Sequence, residues 1–196
     1  VKTVQEVVDL PCSLDTTNPE AMEAGLKVHR GKAIINSVSL QPNRLEKTMP
    51  LVKKYNAHVI ALLWGVEGMP RDENERAVHV VDFIQKASDM GIPIEDIWVD
   101  PIASPVSVEI NQVKACTTFM SMLKEITPEA KSTVGLSNIS NGTPAELRHW
   151  LNKTYMIMLM RHNLYSAIVD AFDEELVAIA KGRKKNIVDI IYKTMD

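Results

Sequence analysis

The sequence predicts an α/β protein of the (β/α)8 barrel type, and three observations carry that expectation. Six short apolar runs, residues 12–15, 33–37, 58–63, 97–100, 133–138 and 167–170, alternate with stretches of helical periodicity. Five of the six runs end in Asp, Asn or an Asn/Ser pair. No G-x-G-x-x-G turn is present, so an open dinucleotide-binding sheet is disfavoured. Alternating strands and helices imply a parallel sheet, because parallel neighbours need crossover connections. A barrel of this type has eight strands. The six units here, with a leading helix, correspond to strands three to eight of an N-terminally incomplete barrel, read as a single domain over 1–196.

Each element has a local cause. Val4, Val7 and Val8 fall at helical spacing before Pro11, so the chain reads as beginning inside a helix. After the first run, Asn18 suits an N-cap and Pro19 the first helical position, which starts a helix over about 21–29 that Gly31 stops. Helices follow over about 44–55 and 73–90, the latter ended by Gly91 and Pro93. Apolar residues at Val113, Ala115, Cys116, Phe119, Met120 and Leu123 give a helix over 108–125. Further helices are predicted over 144–162, 174–181 and 184–195.

Bulk composition excludes several classes. With 196 residues, 45% hydrophobic and 24% charged, the chain has the make-up of an ordinary globular domain. A net charge of −3 and a pI near 6.0 provide no broad basic field, so neither nucleic acid nor an anionic membrane is expected as a partner. Cys12 and Cys116 form no C-x-x-C pair, which points to a reducing compartment, and nothing resembles a signal peptide or a span of roughly 20 apolar residues. A cytoplasmic protein is predicted.

The strand ends hold the candidate chemistry. Asp15, Asn36, Asp100 and Asn138 close four different runs, and in a barrel they would converge on the active-site mouth. Two carboxylates and two carboxamides suit a neutral, flat ligand rich in N–H groups better than a phosphate. Taken singly, Asp15 and Asp100 also fit turn residues bonding their own backbone, and Asn138 a loop residue. The five histidines never take the helical zinc spacing, so no protein-bound metal is expected. Neither cysteine has an evident base nearby in sequence, and G-x-S-x-G is absent. Met156, Met158 and Met160 read as helix packing, and the run from Lys181 to Lys185 as a solvated helix junction.

At these residues the chain resembles the pterin-binding barrel family, and within it the methyltetrahydrofolate:corrinoid methyltransferases. The matching segments are Leu14-Asp15-Thr16-Thr17-Asn18, Ile35-Asn36-Ser37, Val99-Asp100-Pro101, Gly135-Leu136-Ser137-Asn138-Ile139-Ser140, Leu147-Arg148-His149-Trp150-Leu151-Asn152 and Ala167-Ile168-Val169-Asp170. The resemblance implies a methyl transfer between N5 of tetrahydrofolate and the cobalt of a corrinoid (cobalamin) carried by a partner protein, in either direction, by a homodimer. It implies that Asp15, Asn36 and Asp100 hold the pterin ring, with Gly135, Ser137, Asn141 and Arg148 as further pterin contacts. Asn138 is implied as the catalytic residue, hydrogen-bonding at the methyl-bearing nitrogen. Dihydropteroate synthases share the barrel and the aspartates, and they are the alternative, together with a non-catalytic pterin-binding remnant. Where those synthases follow Asp-Pro with a glycine-rich segment leading to lysine, this chain reads Ile102-Ala103-Ser104-Pro105. One departure follows the third run, where Trp64-Gly65 stands at a place in which relatives often carry a polar side chain.

Overall fold

A computed structural model describes residues 1–195. By their internal contacts these residues form two compact units. The first comprises Val1–Pro70, Glu75–Asp100 and Glu129–Lys131, and the second Arg71–Asn74, Pro101–Pro128 and the chain from Ser132 on.

The first unit is built on parallel strands β1 (Ser13–Asp15), β2 (Ile34–Ser39), β3 (His58–Leu62) and β4 (Ile97–Asp100), paired in chain order. A two-residue β5 (Lys131–Ser132) is the last strand of the five in that order. Helix α1 (Lys2–Val7) leads in, and its buried Gln5 carboxamide exchanges two hydrogen bonds with the Arg30 backbone. Between the strands run α2 (Pro19–Val28), α3 (Pro42–Lys54) and α4 (Glu73–Asp89). The cap predicted at Asn18 forms: its Oδ1 accepts from the N–H groups of Glu20 at 2.9 Å and Ala21 at 3.1 Å, with Pro19 opening the helix.

Strand periodicity sorts the sheet into two faces. Ile35, Val59, Ala61, Ile97 and Val99 lie on one face and are fully buried, where α2 packs on β1 and α3 on β2. The opposite face carries Asp15, Asn36, His58, Leu62, Trp98 and Asp100, each left partly or largely accessible within the chain. Ile34 and Ile60 share that face and are buried.

The second unit is helical, with α5 (Ile110–Ile126), α6 (Ala145–Arg161), α7 (Glu174–Ala180) and α8 (Lys185–Met195). Phe119, Met120, Leu123, Ile157, Leu159 and Ile179 form its core. Met156 is buried and Met158 and Met160 half-buried on α6, as the packing reading of that stripe requires.

Two strand expectations need correction. The fifth strand lies at Lys131–Ser132 rather than over 133–138, and Leu136–Ser140 is a 3-10 helix. Local bonds decide this: Asn138 N–H donates to Gly135 O, and the Ser140 hydroxyl donates to Ser137 O. The sixth strand, expected over 167–170, contracts to one parallel bridge between Gly135 and Ile168, flanked by Ser166 N–H to Ser132 O at 3.0 Å.

Candidate ligand site at the strand ends

In the first unit, Asp15 ends β1 directly opposite Asn36 of β2. Residues opposite each other in a sheet present their side chains on the same face, so a carboxylate and a carboxamide stand side by side. Asp100 ends β4 opposite Leu62 of β3, and its carbonyl accepts from the Leu63 N–H at 3.0 Å. All three are on the same face of the sheet, Asp15 exposed and Asn36 and Asp100 half-buried. A carboxylate accepts only, whereas a carboxamide both donates and accepts, so this edge matches a planar ligand with several N–H donors and one or two acceptors.

Arg44 is a member of this edge that sequence reasoning missed. From α3 its guanidinium donates to Thr17 O at 2.8 Å and to Ser37 O, two carbonyls just beyond Asp15 and Asn36. A planar fork suits this double contact better than an ammonium would. The only sequence signal was an arginine in the first turn of a helix that follows the second strand, too common a placement to single out. The Asn36–Ser37 peptide at the clamped end is cis.

The loop after β3 is compact. Gly65 and Gly68 exchange backbone hydrogen bonds of 2.8 and 3.2 Å, and the Trp64 carbonyl accepts from Leu40 N–H at 3.0 Å. The His79 imidazole of α4 occupies the space that a side chain at position 65 would need: a Cβ there would meet its Nε2 and Cε1 at 2.7 Å. Its Nδ1 lies 3.3 Å from Leu63 O, the contact of a donating N–H.

In the second unit, Gly135, Ser137, Asn138 and Asn141 gather around the 3-10 turn. Asn141 Nδ2 donates to Asn138 Oδ1 at 3.4 Å. The Asn138 NH2 lies near Gly135, where an added Cβ would be 3.2 Å from Nδ2. The Asn138 side chain is exposed, with its NH2 available as a hydrogen-bond donor. Arg148 sits on the exposed first turns of α6 and, among the described residues, makes no hydrogen bond to this turn. The second unit also has an apolar cleft of about 430 Å³ lined by Val113, Leu151 and Tyr155, which includes none of the predicted site residues.

A different cluster lies at the opposite strand ends. Lys32 and His58 both contact buried Asp96, at 2.5 and 3.0 Å, just before β2, at the start of β3 and before β4. Burial holds the His58 imidazole below its ordinary 6.5 despite the pull of Asp96, with Lys32 and Lys131 adding to the depression. In barrels, residues at the amino ends of strands serve stability, and this cluster fits that role. Among the described residues no three His, Cys, Asp or Glu side chains form a metal-holding group.

A helix-covered parallel sheet with hydrogen-bonding side chains at its carboxyl ends defines an α/β protein of the barrel class. Solved structures agree on the fold. The chain superimposes on a dihydropteroate synthase from Xanthomonas albilineans with a TM-score of 0.68 at 18% identity, covering 94% of this chain and 68% of that one. The Yersinia pestis dihydropteroate synthase gives 0.67 at 17% identity, covering 99% and 76%. The chain belongs to the family of pterin binding enzymes, whose model matches residues 1–170. Among curated relatives, the methylcorrinoid:tetrahydrofolate methyltransferase of Eubacterium limosum is 26% identical over 176 residues, 89% of this chain and 64% of that protein. A methionine synthase of Mycobacterium tuberculosis is 30% identical over 172 residues, 83% of this chain and 14% of that protein. The chain therefore spans less than two thirds of the length of either.

Proposed function

We propose that this chain carries the folate site of a methyltransferase that moves a methyl group between N5 of tetrahydrofolate and the cobalt of a corrinoid held by a partner protein. The observation that carries the reading is the carboxylate-carboxamide pair Asp15–Asn36 on adjacent strand ends, with Asp100 closing β4 on the same face. The similarity to a methylcorrinoid:tetrahydrofolate methyltransferase and to a methionine synthase supports the reaction class. Asp15, Asn36 and Asp100 bind the pterin's N–H edge, and the charge-assisted bonds of the two aspartates contribute about 1.5–3 kcal/mol each. Gly135, Ser137, Asn141 and Arg148 belong to the same reading as further pterin contacts.

Transfer toward cobalt breaks the N5–CH3 bond, whose electron pair stays on N5 and takes up a proton from solvent. The cobalt(I) electron pair makes the new Co–CH3 bond, leaving methylcobalt(III). A tertiary amine leaves poorly unless N5 gains positive character. The Asn138 amide donates a hydrogen bond there, directly or through a water, and loss of such a donor typically costs on the order of a hundredfold or more. The reverse reaction uses the same groups. The reading includes a homodimer in the cytoplasm, which sedimentation and fractionation check.

The test is an assay of the full-length protein with methyltetrahydrofolate and cob(I)alamin, followed by the change in the corrin spectrum. Methylcobalamin formation, or its reversal with tetrahydrofolate, is expected. Folate binding without transfer in either direction would reduce the protein to a pterin-binding module. Condensation of a dihydropterin pyrophosphate with p-aminobenzoate would replace the reading by the synthase alternative.

A further inference from the structure

Asp15 and Asn36 stand where the sheet stops being regular. The two residues are paired in the β1–β2 register. Between β2 and β3, however, Ile35 faces Val59 and Val38 faces Ala61, so Asn36 and Ser37 together stand against the single residue Ile60. An extra residue of this kind bends its strand and re-aims the side chains beside it. On the neighbouring strand the chain leaves the sheet after Asp15, and Thr17 lies in the short turn before α2, where Asn18 N–H donates to the Thr16 hydroxyl at 3.2 Å.

One guanidinium bridges these two irregular segments. Arg44 Nη1 donates to Thr17 O at 2.8 Å, and Nη2 donates to Ser37 O. Thr17 is two residues past Asp15 and Ser37 directly follows Asn36, so both contacts act on the backbone that carries the ligand side chains. The arm that bears the fork is itself anchored. Arg44 lies in the first turn of α3, its backbone N–H donates to Gln41 O at 2.9 Å, Leu45 and Met49 of the same helix are buried, and α3 packs on β2. A charged donor makes each bond stronger than a neutral one would be, and the rigid planar fork fixes the distance between the two carbonyls.

We propose that Arg44 is a positioning residue of the folate site, setting the separation and direction of the Asp15 carboxylate and the Asn36 carboxamide through their backbone. This rests on the pterin reading of that site. A ring bound by two neighbouring side chains needs both at hydrogen-bonding distance at once, which demands placement to within about 0.5 Å. Removing the fork frees two backbone segments together, so the loss falls on affinity for the ring. The methyl-bearing nitrogen is served by another group, and the rate of the bound complex is left nearly unchanged.

The experiment is a calorimetric titration of the full-length protein with methyltetrahydrofolate, run beside single-turnover transfer to cob(I)alamin at saturating folate and thermal melts. Arg44→Ala is expected to raise the Kd about tenfold while the saturated rate stays within about threefold of the parent. Guanidinium ion, added far below denaturing concentrations, is expected to restore part of the affinity lost in Arg44→Ala and to leave the parent unchanged. Arg44→Lys, the safer variant for folding, keeps the charge but not the fork and is expected to raise the Kd about threefold or more. An unchanged Kd in Arg44→Ala, or parental affinity in Arg44→Lys, overturns the inference while leaving the pterin reading intact. So does a weakened affinity matched by an equal fall in the saturated rate, which would set Arg44 against the reacting atoms. A loss that guanidinium does not relieve and a lowered Tm accounts for overturns it too, leaving Arg44 as a contact of the fold alone. A parent protein that binds no folate overturns the pterin reading and this inference with it.

Discussion

At the scale of single residues, the side chains proposed to serve the folate have separable duties. If Asp100 grips the pterin and Asn138 serves the charge developing on N5, Asp100→Asn is expected to weaken folate binding strongly, since an acceptor becomes a donor facing donors. Asn138→Ala is expected to slow single-turnover transfer by more than it raises the folate Kd, because interactions made mainly in the transition state appear in the rate. A rate within about threefold of the parent, under 1 kcal/mol of barrier, would return Asn138 to an ordinary turn residue. Gly65 supports a prediction that needs no ligand. Gly65→Ala forces a Cβ to within 2.7 Å of the His79 ring and is expected to cost about 1–3 kcal/mol in urea unfolding. Combined with His79→Ala, which vacates that space, most of the cost should vanish. Additive losses would mean that the two residues do not share it.

Among the elements, α2 is the one whose start is most fully explained. Two backbone donors are satisfied by one Asn18 oxygen, so Asn18→Ala is expected to lower stability by about 1 kcal/mol, while Asn18→Asp leaves it nearly unchanged. Thermal melts of the two variants side by side check this, and equal losses would reject the cap. Caps of this sort are legible in sequence because donor, acceptor and proline lie within three positions. The 136–140 segment is the contrary case. The run over 133–138, with apolar Val134 and Leu136, suggests a strand, but Gly135 and the hydroxyl of Ser140 favour local closure, and the strand signal loses. Arg44 belongs here too, since its value depends on reaching carbonyls that are distant in sequence, 27 residues away in the case of Thr17.

For the whole molecule, pH is the accessible variable. His58 titrates below its ordinary 6.5, chiefly through burial, and so does His162, through burial first and the Arg161 charge second. The unfolded chain takes up these protons near pH 6.5 when the folded chain does not. Stability is therefore full above that value and declines as the pH falls below it. A lower Tm at about pH 5.5 than at about pH 7.5 is expected, and His58→Gln should flatten the decline. An unaltered slope would remove His58 from the account. Glu175, held below its ordinary 4.5 by its hydrogen bond with Lys153, adds a separate contribution that is present above 4.5 and lost on further acidification.

The sequence by itself determined the alternation of strands and helices, the cap at Asn18 and the polar residues at the strand ends, because each is written in spacing along a short stretch of chain. It also carried the family, through motifs spread in order over most of the length. Only the tertiary structure decided that Asp15 stands opposite Asn36, that Arg44 ties together the carbonyls beyond them, and that His79 fills the space beside Gly65. These are contacts between residues far apart in the chain. No local periodicity encodes them, and they exist only once packing has brought the strand ends and helices into register.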